Sequence, residues 1–429
     1  MRLIRTTGRS ARRAAETIAA LERRGAASLD SVLPAVRRIV ADVRRNGDRA
    51  LLRYAARFDR LAGEKNLRVT SEEMAAAWDA INAALRDALS TAATQIRGFA
   101  ERQMPAAWSV SSIPGLTTGQ LVRPLASVGC YVPSGRHPLP STLLMTAIPA
   151  QVAGVERIVV VSPNPARETL AVAHLLGIKE FYRVGGAHAI AALAYGTETI
   201  SRVDKIAGPG NLYVTAAKRL VAFDCAIDML AGPTEIAVMS DNCDPAFIAA
   251  DLVAQAEHDP EALAVFITTR EELARTVIAE AKQRSRGNDV ARQALDRNGL
   301  VIVAKDVDEA HAIVNRIAPE HLTVDAAHDL EWVRNAGSVF IGPWSAQPLG
   351  DYISGPNHTL PTGGMARVRG GLSVNDFVKL ITVQEYNARA VRSLGPPAML
   401  LAEAEGLAGH AEAIRTRMNA IPGARRSRA

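Results

Sequence analysis

From about residue 129 onward, short β-branched runs alternate with helical stretches, and this alternation constrains the fold more than any other feature of the chain. VERIVVVSP is followed by TLAVAHLLG, EFYRVGG by AIAALAYG, and VDKIAGPG by LYVTAAKRLV. A second series runs EIAVMSD, FIAADLVAQ, LAVFITT, EELARTVIAEAKQ, GLVIVAK, EAHAIVNRI, HLTVD and SVFIG. Strands that are apolar on both faces and separated by helices pair in parallel, with the helices covering the sheet. The expected fold class is therefore α/β, with two Rossmann-like parallel-sheet domains broken near Ala231-Gly232-Pro233. No strong sequence repeat relates the two series.

The flanks read as helical. SVLPAVRRIVADVRR has helix period and stops at Asn46-Gly47. Thr70 with Glu73 makes a capping box that opens a long helix to about residue 103. From Leu372 the tail is mostly helical and ends in LLAEAEGLAGHAEAIRTRM. Between these lies GPWSAQPLGDYISGPNHTLPTGGMARVRGG, a Gly/Pro-rich loop of the length that compact domains keep for function.

Composition narrows the class. The 429 residues are 48% hydrophobic but only 4% aromatic, so aliphatic side chains must fill the core. The net charge of +6 comes mostly from arginines in MRLIRTTGRSARR and ARRSRA at the two ends, read as solvated termini. No aromatic–basic interleaving accompanies them, which argues against nucleic acid. No apolar run reaches membrane-spanning length and no apolar signal core follows the first arginines, so a cytoplasmic protein is expected. Cys130, Cys225 and Cys243 are scattered, odd in number and without a neighbouring base, so neither disulfides nor a thiol nucleophile is favoured.

Several polar residues stand out against this apolar background. In DLVAQAEHDP, Asp244 can cap the helix and Pro260 end it; Asp251, Gln255 and His258 then share a face. His258 either complements the helix dipole or, with Gln255, ligates something bound. Glu320 and His321 adjoin where a helix hands over to a strand, and a carboxylate beside an imidazole can pass protons near neutral pH. Asp351 and His358 come from the glycine-rich loop, and Glu405 and His410 from the last helices, where an ordinary amphipathic face is the alternative. Asp228 and Thr234 flank the junction of the two series. RVGGAHAIAALAYG and KIAGPGNLYV are strand–glycine–helix turns that can present N–H groups to phosphate or simply connect elements tightly.

Taken in order, YVPSGRHPLPSTLLMTAIPAQVAGV, VGGAHAIAALAYGTETI, DKIAGPGNLYVTAAKRLV, DMLAGPTEIAV, DLVAQAEHDP, NRIAPEHL, GDYISGPNHTLPTGG and EAEGLAGHAEA resemble the histidinol dehydrogenase family from about residue 25 to 418. The resemblance implies an enzyme that oxidises L-histidinol to L-histidine through L-histidinal, the last step of histidine biosynthesis. Two NAD are reduced per substrate and one Zn2+ is held per subunit of an interlocked homodimer. It further implies zinc ligation by Gln255, His258, Asp351 and His410, and acid–base catalysis by Glu320 and His321. Thr234, His358 and Glu405 join the ligands and His321 in substrate binding, and Tyr131, His188 and Asn211 lie where the family binds NAD. Glu405 and His410 are expected to reach the site from the partner subunit. The division that follows is an N-terminal segment 1–24, a first α/β domain from 25–128 and 236–371, an NAD-binding domain 129–235, and a helical C-terminal domain 372–429. Two positions depart from the family pattern: Thr234 stands where serine is usual and His188 where glutamine is usual. Rival readings are a dehydrogenase of the same fold acting on another small alcohol, a zinc hydrolase using Glu320 as base, and a non-enzymatic binding protein.

Overall fold

A computed structural model describes residues 1–25, 29–61, 67–134 and 138–422. The ARRSRA tail and His137, to which no role was assigned, lie outside them. The chain forms two compact units, Met1–Gln103 with Leu125–Phe377, and Met104–Pro124 with Val378–Ala429.

The first unit contains both expected parallel sheets. One has six strands in the order Arg2–Arg5, Leu300–Val303, Leu263–Thr268, Glu235–Met239, His321–Val324 and Ser338–Ile341. The other has five, in the order Glu180–Tyr182, Arg157–Val161, Ser127–Tyr131, Lys205–Ala207 and Ala226–Ile227. Every pairing in both is parallel. Strands Ser127–Tyr131 and Glu235–Met239 are buried along their whole length, as the continuous apolar runs require. The core is aliphatic, built from Val, Ile, Leu and Ala.

Two local expectations are revised. The arginine-rich start is not a frayed tail. Its Leu3–Ile4 pair continues the six-stranded sheet beside Val301–Ile302, and Arg5 grips Glu271 through two hydrogen bonds of 2.9 and 2.7 Å. The long helix after Thr70 is two helices, Ser71–Ala80 and Ala83–Arg102, because Ile81 is extended and Asn82 caps the second by accepting from the Leu85 N–H. The helix that opens at Leu33 stops at Gly47 as expected, and a second runs from there to Phe58; Gly47 has a φ of +49°, which would strain any other residue. The two pack Val36, Val40, Val43 and Leu51 into the core of the five-stranded sheet, whereas the sequence reading grouped their residues with 236–371.

The second unit is a three-stranded antiparallel sheet, Val378–Tyr386, Leu116–Pro124 and Trp108–Ile113, with helices Ala388–Ala404 and Ala408–Ala420. Its strands lie in stretches the sequence reading left unassigned or took as helical. VKLITVQEY does not alternate strictly and none of its residues is buried, so it lacks the apolar contrast between faces that marks a strand. Among the described residues no helix is long and apolar enough to cross a membrane.

Candidate active site

The candidate residues gather where the amino-terminal edge of the six-stranded sheet meets the carboxyl-terminal edge of the five-stranded one. Thr234 and Glu235 open one strand, and Glu320 and His321 open its neighbour, with His321 paired opposite Ile236. Across the cavity, the strands ending at Tyr131 and Ala207 lie on either side of a change in strand order, where α/β sheets bind ligands. The chain leaves Ala207 through Gly208, whose φ is +118° and where a Cβ would fall 2.1 Å from the Tyr131 carbonyl oxygen. Only glycine fits so close a crossing. Asp228 clamps this turn: it accepts from the Gly208 N–H at 2.7 Å and pairs with buried Lys218, which also donates to the Gly208 carbonyl at 3.0 Å. Lys218 was not singled out from sequence, since a lone lysine on a helix carries no signal. The cavity between the edges has a volume of about 810 Å³, and its walls include Asn211, Thr234, His258, Glu320, His321, Asp351 and His358.

Glu320 and His321 are wired to the strand beside them. One Glu320 carboxylate oxygen, Oε2, accepts from the Thr234 hydroxyl at 2.6 Å and from the Glu235 N–H at 2.7 Å. Burial pushes the Glu320 carboxyl up to about 7, against the pull of His321 and these two donors. His321 Nδ1 lies 3.0 Å from the Glu235 carbonyl oxygen, an acceptor, so Nδ1 carries the proton. That leaves Nε2 as the working nitrogen; it is buried without a hydrogen-bond partner, 3.5 Å from Asp351 Oδ1. Burial alone lowers the His321 pKa, but Glu320 and Asp351 outweigh it and lift it to about 9. The ligand-free site therefore favours a protonated His321 beside an ionised Asp351 and a Glu320 that is part-protonated at neutral pH.

Beside them sit three of the four expected ligands. Gln255 is fully buried; its Nε2 donates to the Thr234 hydroxyl and its Oε1 has no partner. A buried acceptor with no donor near it is the kind of atom a cation satisfies. Helix Pro245–Ala256, capped by Asp244 as expected, ends before His258, so His258 leaves from the turn after the helix rather than from its face. Asp351, on the short helix Gln347–Tyr352, accepts from the Gln347 amide at 2.8 Å, and its carbonyl faces His358 Nδ1 at 2.7 Å. Gln255, His258 and Asp351 thus supply oxygen and nitrogen donors that suit zinc in part. Among the described residues no group of three or more His, Cys, Asp or Glu stands ready to hold a metal. The fourth expected ligand, His410, and the substrate contact Glu405 belong to the second unit, where both are exposed.

The residues expected at the cofactor divide. Asn211 lines the cavity and caps helix Leu212–Val221 by accepting from the Tyr213 and Val214 N–H groups. Tyr131 and His188 do not line it. Their side chains are buried behind the wall, where the Tyr131 hydroxyl accepts from the Gly186 N–H at 3.1 Å and His188 Nε2 meets Asp59 Oδ2 at 2.7 Å. Asp59 also takes the Gly185 N–H, so both residues brace the Gly-Gly turn. The three cysteine thiols are all pushed up by burial, Cys130 to about 12 and Cys225 and Cys243 to about 11, which keeps them protonated and poor nucleophiles.

Known proteins similar to this chain in sequence belong to one family. The sequence model of the histidinol dehydrogenase family matches residues 22–418. The histidinol dehydrogenase of Methanothermobacter thermautotrophicus is 46% identical over 415 residues, covering 94% of this chain and 97% of that one. That of Rhodospirillum rubrum is 45% identical over 405 residues, covering 91% and 93%. The crystal structure of histidinol dehydrogenase from Elizabethkingia anophelis superposes with a TM-score of 0.91 at 35% identity, covering 98% of each chain. On the family match, the sequence identity and the shared fold together, this chain belongs to the histidinol dehydrogenase family.

Proposed function

We propose that the protein is an NAD-dependent oxidoreductase that converts L-histidinol to L-histidine through L-histidinal, with zinc held by Gln255, His258, Asp351 and His410. The observation that carries this reading is the Glu320–His321 pair, buried at the cavity wall with His321 Nε2 left without a hydrogen-bond partner. When bound, zinc would supply a template for a substrate bearing an imidazole and an amine, and NAD would supply the hydride acceptor for both oxidations. His321 Nε2 takes the proton of the substrate hydroxyl in the first step, its ring held by the Glu235 carbonyl. Glu320 takes a proton from the water that adds to the aldehyde before the second, and its carboxylate is oriented for this by Thr234 and Glu235. Thr234, His358 and Glu405, with His321 and the ligands, bind the substrate. Asn211 faces the cofactor, while Tyr131 and His188 support the turn behind it. Imidazolium between Glu320 and Asp351 must lose its proton before it acts as base, which favours mildly alkaline conditions.

In this reading the working unit is a homodimer in which Glu405 and His410 reach the site of the partner subunit. Supporting it, the second unit exposes the large apolar side chains of Leu380, Ile381, Val383, Leu400 and Leu401, which a partner subunit could cover. The setting we propose is a soluble, cytoplasmic dimer, in keeping with a biosynthetic enzyme family.

The test is to count NADH formed from limiting L-histidinol with excess NAD at mildly alkaline pH, with and without a chelator. Two NADH per histidinol, abolished by chelation and restored by zinc, are expected. One NADH means that the aldehyde escapes and removes Glu320 from the second step. None, from zinc-loaded protein, points to another alcohol substrate and returns attention to Thr234.

A further inference from the structure

We infer that Arg24, just beyond the N-terminal helix Ala11–Glu22, is a positioning residue for the reaction, acting through Glu235 on the Glu320–His321 pair. Its guanidinium makes four hydrogen bonds in two directions. Nε and Nη2 grip both carboxylate oxygens of Glu235 at 2.7 and 2.6 Å. Nη1 donates to the carbonyls of Leu21 at 2.6 Å and Ile317 at 2.7 Å. Such a fork matches guanidinium geometry and no other side chain.

Both directions lead to the proton-transfer groups. The backbone of Glu235 touches each of them: its N–H donates to Glu320 and its carbonyl receives His321 Nδ1. Ile317 is the last helical residue before Ala318, which has a φ of +50°, and two residues later the chain reaches Glu320. A non-glycine residue in that region must be held by its surroundings, and the Arg24 bond to Ile317 holds the peptide that enters it. Glu235 Oε1 also accepts from the Gly363 N–H at 3.0 Å, so the same carboxylate anchors the loop that carries His358. The ion pair itself is nearly closed to solvent, with side-chain exposures of 16% for Arg24 and 5% for Glu235. One guanidinium thus ties together the start of one strand, the approach to the next and the glycine-rich loop. Arg24 touches no cavity residue except through these partners. Nothing in the sequence draws attention to it: it is one of two adjacent arginines, Arg23 and Arg24, beyond the opening MRLIRTTGRSARR.

This inference rests on the acid–base reading of Glu320 and His321, and the experiment separates the two. The variants are Arg24→Met, Glu235→Gln, the double variant Arg24→Met/Glu235→Gln, and Arg24→Lys, each as full-length zinc-loaded protein. Thermal midpoint, bound zinc, kcat and KM for L-histidinol are measured together. Arg24→Met strands a buried carboxylate and loses both stability and kcat. The double variant removes the stranded charge, so its thermal midpoint recovers. Its kcat stays about 10- to 100-fold low, with KM within about twofold of the unaltered protein, because the two proton-transfer groups are no longer held in place. If kcat recovers in step with the thermal midpoint, Arg24 is merely structural and the inference is wrong. Should the double variant stay unstable, Arg24→Lys decides: a lone ammonium keeps the charge but cannot span both directions, so a normal thermal midpoint with reduced kcat supports positioning, and normal kcat overturns it. If the unaltered protein forms no NADH from L-histidinol, the proposed function fails instead, before any variant is compared.

Discussion

Replacing Thr234 by valine tests the local electrostatics of the site most directly, because the change keeps the shape and removes one hydroxyl. That hydroxyl donates to Glu320 Oε2 at 2.6 Å and accepts from the Gln255 amide. A hydrogen bond to a charged acceptor contributes about 1.5–3 kcal/mol. All of it favours the ionised form of Glu320, so at 1.36 kcal/mol per unit its loss raises the carboxyl by about one to two units. The starting point is already near 7, because burial opposes ionisation. The sign is then fixed: the base form of Glu320 exists only above its pKa, so Thr234→Val moves the acid limb of activity to higher pH. Activity in the second step is lost near neutrality and returns as pH rises through the new value. The assay is NADH formation from L-histidinal between pH 6 and 10, comparing Thr234→Val with Thr234→Ser. Serine keeps the hydroxyl and should reproduce the original profile; it also asks whether the methyl that distinguishes this chain from the usual family pattern matters. A Thr234→Val profile that superimposes on the unaltered one would refute the assignment of Glu320 as a base tuned by this bond. The valine variant also strands the Gln255 amide in a buried place, so a fall in stability of about 1–3 kcal/mol accompanies the shift.

Two further outcomes follow from the same geometry. His321→Ala and His410→Ala should each be inactive alone, yet mixing and reassociating them should restore about a quarter of the sites, because half the dimers are mixed and each mixed dimer holds one complete site; no recovery would place both residues in one subunit's site. His188→Leu should lower the thermal midpoint by depriving Asp59 of one of its two partners while leaving the KM for NAD within about twofold. A large rise in that KM with stability unchanged would return His188 to the cofactor.

The two parallel sheets were legible because each buried strand is a short β-branched run between helices, a pattern that survives without knowledge of any neighbour. Asp244 and Thr70 were legible as caps for the same reason: their partners lie two or three residues away. The antiparallel strands of the second unit were not, since their faces are mostly exposed and their pairing joins residues 116–124 to 378–386.

The site divides along the same line. Sequence by itself determined which residue types meet in ordered motifs, and so pointed to Gln255, His258, Glu320, His321 and Asp351. Only the tertiary structure decided what each atom does. It sets Nδ1 of His321 against the Glu235 carbonyl and leaves Nε2 free, turns His188 away toward Asp59, and brings Arg24 across more than two hundred residues to Glu235. A motif records local chemistry, whereas tautomer, burial and long-range ion pairing depend on what the fold packs against each group. That is why the N-terminal segment 1–24, whose opening arginines read as a solvated tail, contains both a strand of the sheet and the clip behind the proton-transfer pair.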